Sequence, residues 1–338
     1  MRAMICVEPG VFEYREIAAP VPQPGYAILQ LKRIGICGTD LHAFEGTQPY
    51  FTYPRILGHE LSGTLVATGG AEGFAIGEAV TILPYLHCGK CIACKTGKTN
   101  CCSSIQVCGV HIDGAMSDLY AVPTYTLIKG AGLGFDELAL VEPLAIGAHA
   151  VRRAAVQKDE FVLVIGAGPI GIGTMDFAGI AGATVIAMDR NEDRLQFCMQ
   201  KNKAAFFINA AKDDIKERLM DITEGDMPTV VMDATGNLAA INNALQWLAH
   251  GGRMVLIGLQ KEAFQFSHPE FHKRETTLMS SRNATRADFL QVIQAIQSGK
   301  INPSDYITHR TGFEDLQAVF PSWLNPANGV IKAMVTMD

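Results

Sequence analysis

Two patterns of apolar and polar positions run along this chain, and one replaces the other near residue 145. Before that point, short apolar runs such as "YAILQLKRI" (26–34) and "GEAVTILPY" (77–85) are separated by Gly and Pro. That texture predicts an irregular, β-rich region. Beyond it, strands and helices alternate. "FVLVIGAG" (161–168) reads as a buried strand, "PIGIGTMDFAGIAGA" (169–183) as a helix and "TVIAMD" (184–189) as a strand, with "VVMDATG" (230–236) and "GRMVLIGL" (252–259) as two more. Strands joined by helices predict a parallel α/β sheet. From about residue 281 the pattern is mixed again, with helical spacing in "TRADFLQVIQAIQSGKI" and a terminal strand in "GVIKAMVTM".

A chain of 338 residues favours two domains over one compact core. The 28 Lys and Arg against 34 Asp and Glu leave a net charge of -6. Without a basic surplus to neutralise phosphates, nucleic acid and an anionic membrane surface are both disfavoured as main partners. The first twenty residues carry Arg2, Glu8 and Glu13 and hold no apolar core of signal-peptide length. The most apolar stretch, 161–188, is broken by Asp176 and by glycines, so no membrane span is expected. A cytoplasmic protein follows as the expectation, and its nine cysteines then suggest metal before disulfide.

Three groups of residues carry candidate chemistry. In "VLVIGAGPIGIG", Gly166, Gly168 and Gly171 form G-x-G-x-x-G between a strand and a helix. The first glycine permits the turn, the second lets backbone approach a pyrophosphate, and the third permits close helix packing. The next strand ends at Asp189, where a carboxylate accepts from ribose hydroxyls and repels a 2′-phosphate, favouring NAD; Arg190 beside it could instead pair with that phosphate.

The second group is "HCGKCIACKTGKTNCC", whose Cys88, Cys91, Cys94 and Cys102 can grip one metal ion. Taken alone it fits a zinc-ribbon module, a redox centre or a structural brace. The third places Cys37, Thr39, Asp40 and His42 in "GICGTDLH" and His59 and Glu60 in "GHE". Such a mixed sulfur, nitrogen and oxygen set suits catalytic zinc, with Asp40 as a partner for the His59 imidazole.

These motifs, in this order, resemble the zinc-dependent medium-chain dehydrogenases, particularly the polyol or sorbitol dehydrogenase branch, and the resemblance spans the whole chain. It implies an α/β protein in two domains. A GroES-like catalytic domain (1–145, with a structural zinc lobe at 86–104, and again 281–338) would flank a Rossmann coenzyme domain (146–280). It implies two zinc ions per chain, one held by Cys88, Cys91, Cys94 and Cys102, the other by Cys37 and His59 with Glu60 or Glu142. Cys101, adjacent to Cys102, leaves a register ambiguity that the family spacing decides for Cys102. Glu142 lies where the alcohol-dehydrogenase branch carries a cysteine ligand, a departure that points away from simple alcohols. The resemblance also implies that Thr39 receives the substrate proton and His42 relays it. The expected coenzyme contacts are Gly166, Gly168, Pro169, Ile170, Gly171, Asp189, Arg190, Arg194, Ile257, Gly258, Leu259 and Ser281.

The longer stretches "GTQPYFTYPRILGHE", "GVHIDGAMSDL" and "FSHPEFHKRETTLMSSRNATRADF" are similar to the sugar-acid branch, the L-galactonate or L-gulonate 5-dehydrogenases. The expected activity is NAD-linked oxidation of a hexonate at carbon 5. Polyol oxidation is the second reading, and a non-catalytic zinc-containing binding protein is an alternative of another class. Arg282 is the expected substrate contact, with His111, Lys273 and Arg274 as weaker candidates for pairing with a carboxylate. A homodimer or homotetramer acting on a small molecule is expected.

Overall fold

A computed structural model describes residues 1–49, 51–201 and 203–337. The chain forms two compact units, Met1–Pro143 with Thr285–Asp338, and Leu144–Ala284. The junctions fall after residues 143 and 284 instead of 145 and 280. At the second of them, Ser281 N–H still donates to Leu256 O at 2.8 Å, so the backbone stays with the sheet beyond the last strand.

In the first unit a seven-stranded sheet has Tyr26–Ile36 at its centre. On one side Glu60–Ala67 pairs with this strand antiparallel, and on the other Lys332–Thr336 does the same. Residues far apart in sequence are thereby brought into register, with Gly35 opposite both Glu60 and Met334. Leu29, Leu31, Ile34, Leu61, Val80 and Phe320 are among the buried side chains of its core. From the expected strand at 77–85 the structure makes two, Ala79–Ile82 and Tyr85–Leu86, because Pro84 interrupts the ladder. The second of these pairs antiparallel with Gln106–Val107 and closes the base of the cysteine-rich lobe.

The second unit is a six-stranded, all-parallel sheet. Numbered along the chain, its strands Phe161–Ile165, Thr184–Asp189, Phe206–Asn209, Val230–Asp233, Arg253–Leu256 and Thr277–Ser280 lie in the order 3-2-1-4-5-6. This is the doubly wound dinucleotide-binding topology. Val162, Leu163 and Val164 are fully buried, as a strand covered on both faces requires. The helix after the first strand runs Pro169–Ile180, with Gly168 as N-cap and Pro at the first turn, where its missing N–H costs nothing. Among the described residues, no helix is long and apolar enough to cross a membrane.

Candidate metal centre and coenzyme site

Cys37 follows directly on the central strand of the first unit and is the N-cap of helix Gly38–Phe44. Glu60 opens Glu60–Ala67, the neighbouring strand, and His59 immediately precedes it. Ladder pairing therefore carries Cys37 to the other two, and ligand atoms of Cys37, His59 and Glu60 all lie within 4.8 Å of one another. The donors are a thiol, an imidazole and a carboxylate, a set that fits zinc with a position left open.

The surroundings differ from the expectation in three respects. Asp40 is fully buried, yet its Oδ1 stands 3.8 Å from His59 Nδ1, beyond hydrogen-bond length. Its oxygens instead accept from Cys37 N–H at 2.9 Å and Gly58 N–H at 3.2 Å, so Asp40 fixes the backbone on which two of the donors stand. His59 Nδ1 is left buried without a hydrogen-bond partner. Burial opposes protonation of the His59 ring, but the charges of Asp40, Cys37 and Glu142 outweigh it and raise its pKa well above the ordinary value.

Second, Glu60 does not stand alone. Lys332 Nζ donates to Glu60 Oε1 and Oε2, each at 2.6 Å, and to Ile36 O at 3.1 Å, which uses all three ammonium protons. The pair meets across the central strand at Gly35, where a Cβ would sit 2.3 Å from Glu60 Oε2; glycine is what leaves room for the carboxylate. Desolvation pulls the Lys332 pKa down, but Glu60 and the neighbouring negative groups raise it above the ordinary value.

Third, Glu142 lies outside the close group of three. It occupies the first turn of helix Val141–Ala154, is buried, and accepts a short hydrogen bond from the Tyr85 hydroxyl. Burial, reinforced by the charge of Glu60, pushes its carboxyl up to about 7 against the opposing effects of His59, Tyr85 and Lys332. Neither Tyr85 nor Lys332 was singled out from sequence. A lone lysine inside the apolar run "GVIKAMVTM" was the available sign.

Thr39 is half-buried and His42 exposed, three residues apart on one short helix and hence on one face. His42 Nδ1 is 3.2 Å from Thr47 Oγ1 and 3.4 Å from Glu45 Oε2.

In the lobe, the sulfurs of Cys88, Cys91, Cys94 and Cys102 gather within 4.8 Å, none of them in a disulfide, while Cys101 points to solvent. Backbone N–H groups of Cys91 and of Cys88 and Ser104 point at the sulfurs of Cys88 and Cys102 at 3.3–3.4 Å. Amide donors lower the Cys88 thiol, and those of Cys94 and Ser103 bring Cys91 down to about 5; desolvation and the adjacent Cys91 sulfur send Cys94 up to about 12. Four gathered sulfurs, with backbone N–H groups aimed at those of Cys88 and Cys102, fit a closed zinc site.

In the second unit, Gly166 has φ +101°, which favours glycine, and a Cβ on Gly171 would lie 1.8 Å from Gly166 O. A Cβ on Gly168 would meet only Arg194 Nη1, at 3.9 Å. The turn thus leaves a cradle at the helix N-terminus bordered by a guanidinium, which suits a pyrophosphate. Asp189 Oδ2 accepts from Ala167 N–H at 2.7 Å, and Oδ1 from Arg190 and Asn191 N–H, so this carboxylate also ties the two turns together. A carboxylate has further lone pairs for ribose hydroxyls. Pro169 and Ile170 open the helix, Arg190 is exposed, and Ile257 and Gly258 N–H bond Asp233 O. Leu259 is exposed, whereas Ser281 is buried with its hydroxyl unpartnered.

Arg282 is exposed and belongs to the second unit, as does Lys273 on helix His268–Lys273. Arg274 and His111 are engaged locally: Arg274 Nη1 donates to Leu248 O at 2.7 Å, and His111 Nδ1 accepts from Val107 N–H at 3.1 Å.

Comparison with known proteins matches residues 23–131 to the family described as alcohol dehydrogenase GroES-like domain and residues 169–298 to zinc-binding dehydrogenase. An L-galactonate-5-dehydrogenase of Escherichia coli K12 is 40% identical over 337 residues, covering 99% of both chains. The chain belongs to the zinc-dependent medium-chain alcohol dehydrogenases. A 2-dehydro-3-deoxy-L-galactonate 5-dehydrogenase of Pseudoalteromonas atlantica is 31% identical, covering 96% of this chain and 95% of that one. A crystallised alcohol dehydrogenase of Escherichia coli CFT073, in complex with NADH, superposes with a TM-score of 0.93 at 29% identity, covering 100% and 99% of the two chains. This dehydrogenase is therefore an enzyme acting on CH–OH donors of small molecules, with zinc and NAD as cofactors.

Proposed function

We propose that this dehydrogenase oxidises the carbon-5 hydroxyl of a hexonate of the L-galactonate or L-gulonate type to the corresponding keto acid, with NAD in preference to NADP. The observation that carries the substrate reading is the full-length 40% identity to an enzyme named for L-galactonate. Asp189 at the end of the second parallel strand supports the choice of NAD.

The chemistry supplied by the two cofactors when bound is Lewis-acid polarisation of an alcohol oxygen by zinc and hydride acceptance by nicotinamide. Cys37, His59 and Glu60 would hold the metal, with Glu142 buried outside that close group. Lys332 holds both oxygens of Glu60 in place, and Asp40 holds the backbone of Cys37 and Gly58. Thr39 would relay the proton of the substrate hydroxyl, accepting it on Oγ1 as its own hydroxyl proton passes on, and His42, on the same helix face and open to solvent, would carry it outward.

The test is NADH formation on a set of hexonates and their uncharged alditols, with parent and Arg282→Ala side by side. The hexonate is the better parent substrate, and losing Arg282 lowers kcat/KM on it about ten- to a hundredfold while affecting the alditol less. A parent that prefers the alditol makes the enzyme a polyol dehydrogenase.

A further inference from the structure

Glu142 and Glu60 are two buried carboxylates beside the same metal-binding set, and the chain treats them differently. Glu60 has a cation across both oxygens. Among the described residues, Glu142 has a neutral donor on one oxygen, the Tyr85 hydroxyl on Oε1. That hydroxyl is itself held in place. Tyr85 is 3% exposed, belongs to the short strand at the base of the cysteine lobe, and meets the ring of fully buried Phe289 edge-on, with centroids 6.4 Å apart at 82°. A side chain with so little rotational freedom makes a fixed donor. Glu142 sits buried in the first helical turn, with its carboxyl met by that hydroxyl.

We propose that Tyr85 is a positioning residue for the metal centre: by occupying Oε1 it fixes the Glu142 carboxyl so that Oε2 is the oxygen presented to the Cys37–His59–Glu60 set. Without the hydroxyl, Glu142 is free to turn, and the metal loses an oriented outer carboxyl group. Partners that orient a metal's surroundings carry about ten- to a hundredfold in metal affinity or activity. The inference concerns the metal centre and stands whichever alcohol is the substrate.

The experiment uses zinc-loaded full-length protein and follows zinc release to a chromogenic chelator. The phase missing in His59→Ala identifies this centre. Tyr85→Phe removes one oxygen and keeps the ring against Phe289. The expected result is release about ten- to a hundredfold faster in that phase, with the lobe's phase unchanged. In a Glu142→Ala background the same substitution has no further effect, because its only route is through Glu142. Unchanged release in Tyr85→Phe overturns the proposal, as does an equal acceleration in the Glu142→Ala background. Should Tyr85→Phe not fold, Phe289→Leu keeps the hydroxyl and loosens its backing. Faster release there supports the same role, and unchanged release overturns it.

Discussion

Replacing Lys332 with methionine removes the cation from a pair whose side chains are 2% and 0% exposed. Both oxygens of Glu60 lose their donor at once, and water does not reach them. Deleting one partner of a buried pair costs about 3–5 kcal/mol, because the remaining charge is stranded in a medium that solvates it poorly. For a unit of this size each kcal/mol lowers Tm by about 2–4 °C, so the expected shift is about 6–20 °C. The upper part of that range belongs to zinc-stripped protein, since a bound metal cation takes over part of the lysine's charge. Urea unfolding followed by tryptophan fluorescence reads the effect in the correct unit: Trp323 lies in the first unit and Trp247 in the second, so a Trp247→Phe background isolates it. Lys332→Met combined with Glu60→Gln removes the stranded charge and recovers most of the loss. A single variant within about 1 kcal/mol of the parent refutes the reasoning, and so does a double variant no more stable than the single.

Other expectations follow from the same geometry. Parent protein carries two zinc ions by metal analysis; Cys91→Ser retains one and folds less well, and His59→Ala loses the other along with turnover. Asp189→Ala raises KM for NAD and narrows discrimination against NADP in steady-state kinetics; a parent already preferring NADP would mean that Arg190 governs the choice. The hydrogen bond from Arg310 Nη2, at 2.6 Å, opposed by partial burial and joined by Arg33, lowers the Asp136 pKa. A depressed carboxyl contributes stability above its unfolded pKa of about 4 that disappears as pH falls through the lower folded value. Thermal unfolding across that acid window should therefore show a shallower loss in Asp136→Asn than in the parent.

The strands that can be read from sequence are those whose apolar runs are long enough to stand out, such as Phe161–Ile165 and Thr184–Asp189. Two members of the same sheet, Phe206–Asn209 and Thr277–Ser280, escape the reading. Their partly exposed side chains break the apolar signal that the equally short Val230–Asp233 and Arg253–Leu256 keep. At the metal centre the donor types are legible because Cys, His and Glu occur in short local motifs. Their partners are not. The link from Lys332 to Glu60 spans 272 residues and exists only because two strands flank Gly35. Tyr85 reaches Glu142 across 57 residues, through a strand pairing and a helix start that no local pattern announces. Asp40 was legible as a neighbour of the site but not in its actual role, since which donors a buried carboxylate meets depends on loop conformation.

Lys332 also has a place in time. On the ribosome, Glu60 is made 272 residues before the cation it depends on. At about 5–20 residues per second that interval is ~14–54 s. During it the contiguous stretch Leu144–Ala284 can close on itself, whereas the sheet around Tyr26–Ile36 still lacks the strand Lys332–Thr336. Through that wait the nascent site holds a carboxylate with no lysine to neutralise it, and a proton or a metal cation is what can stand in.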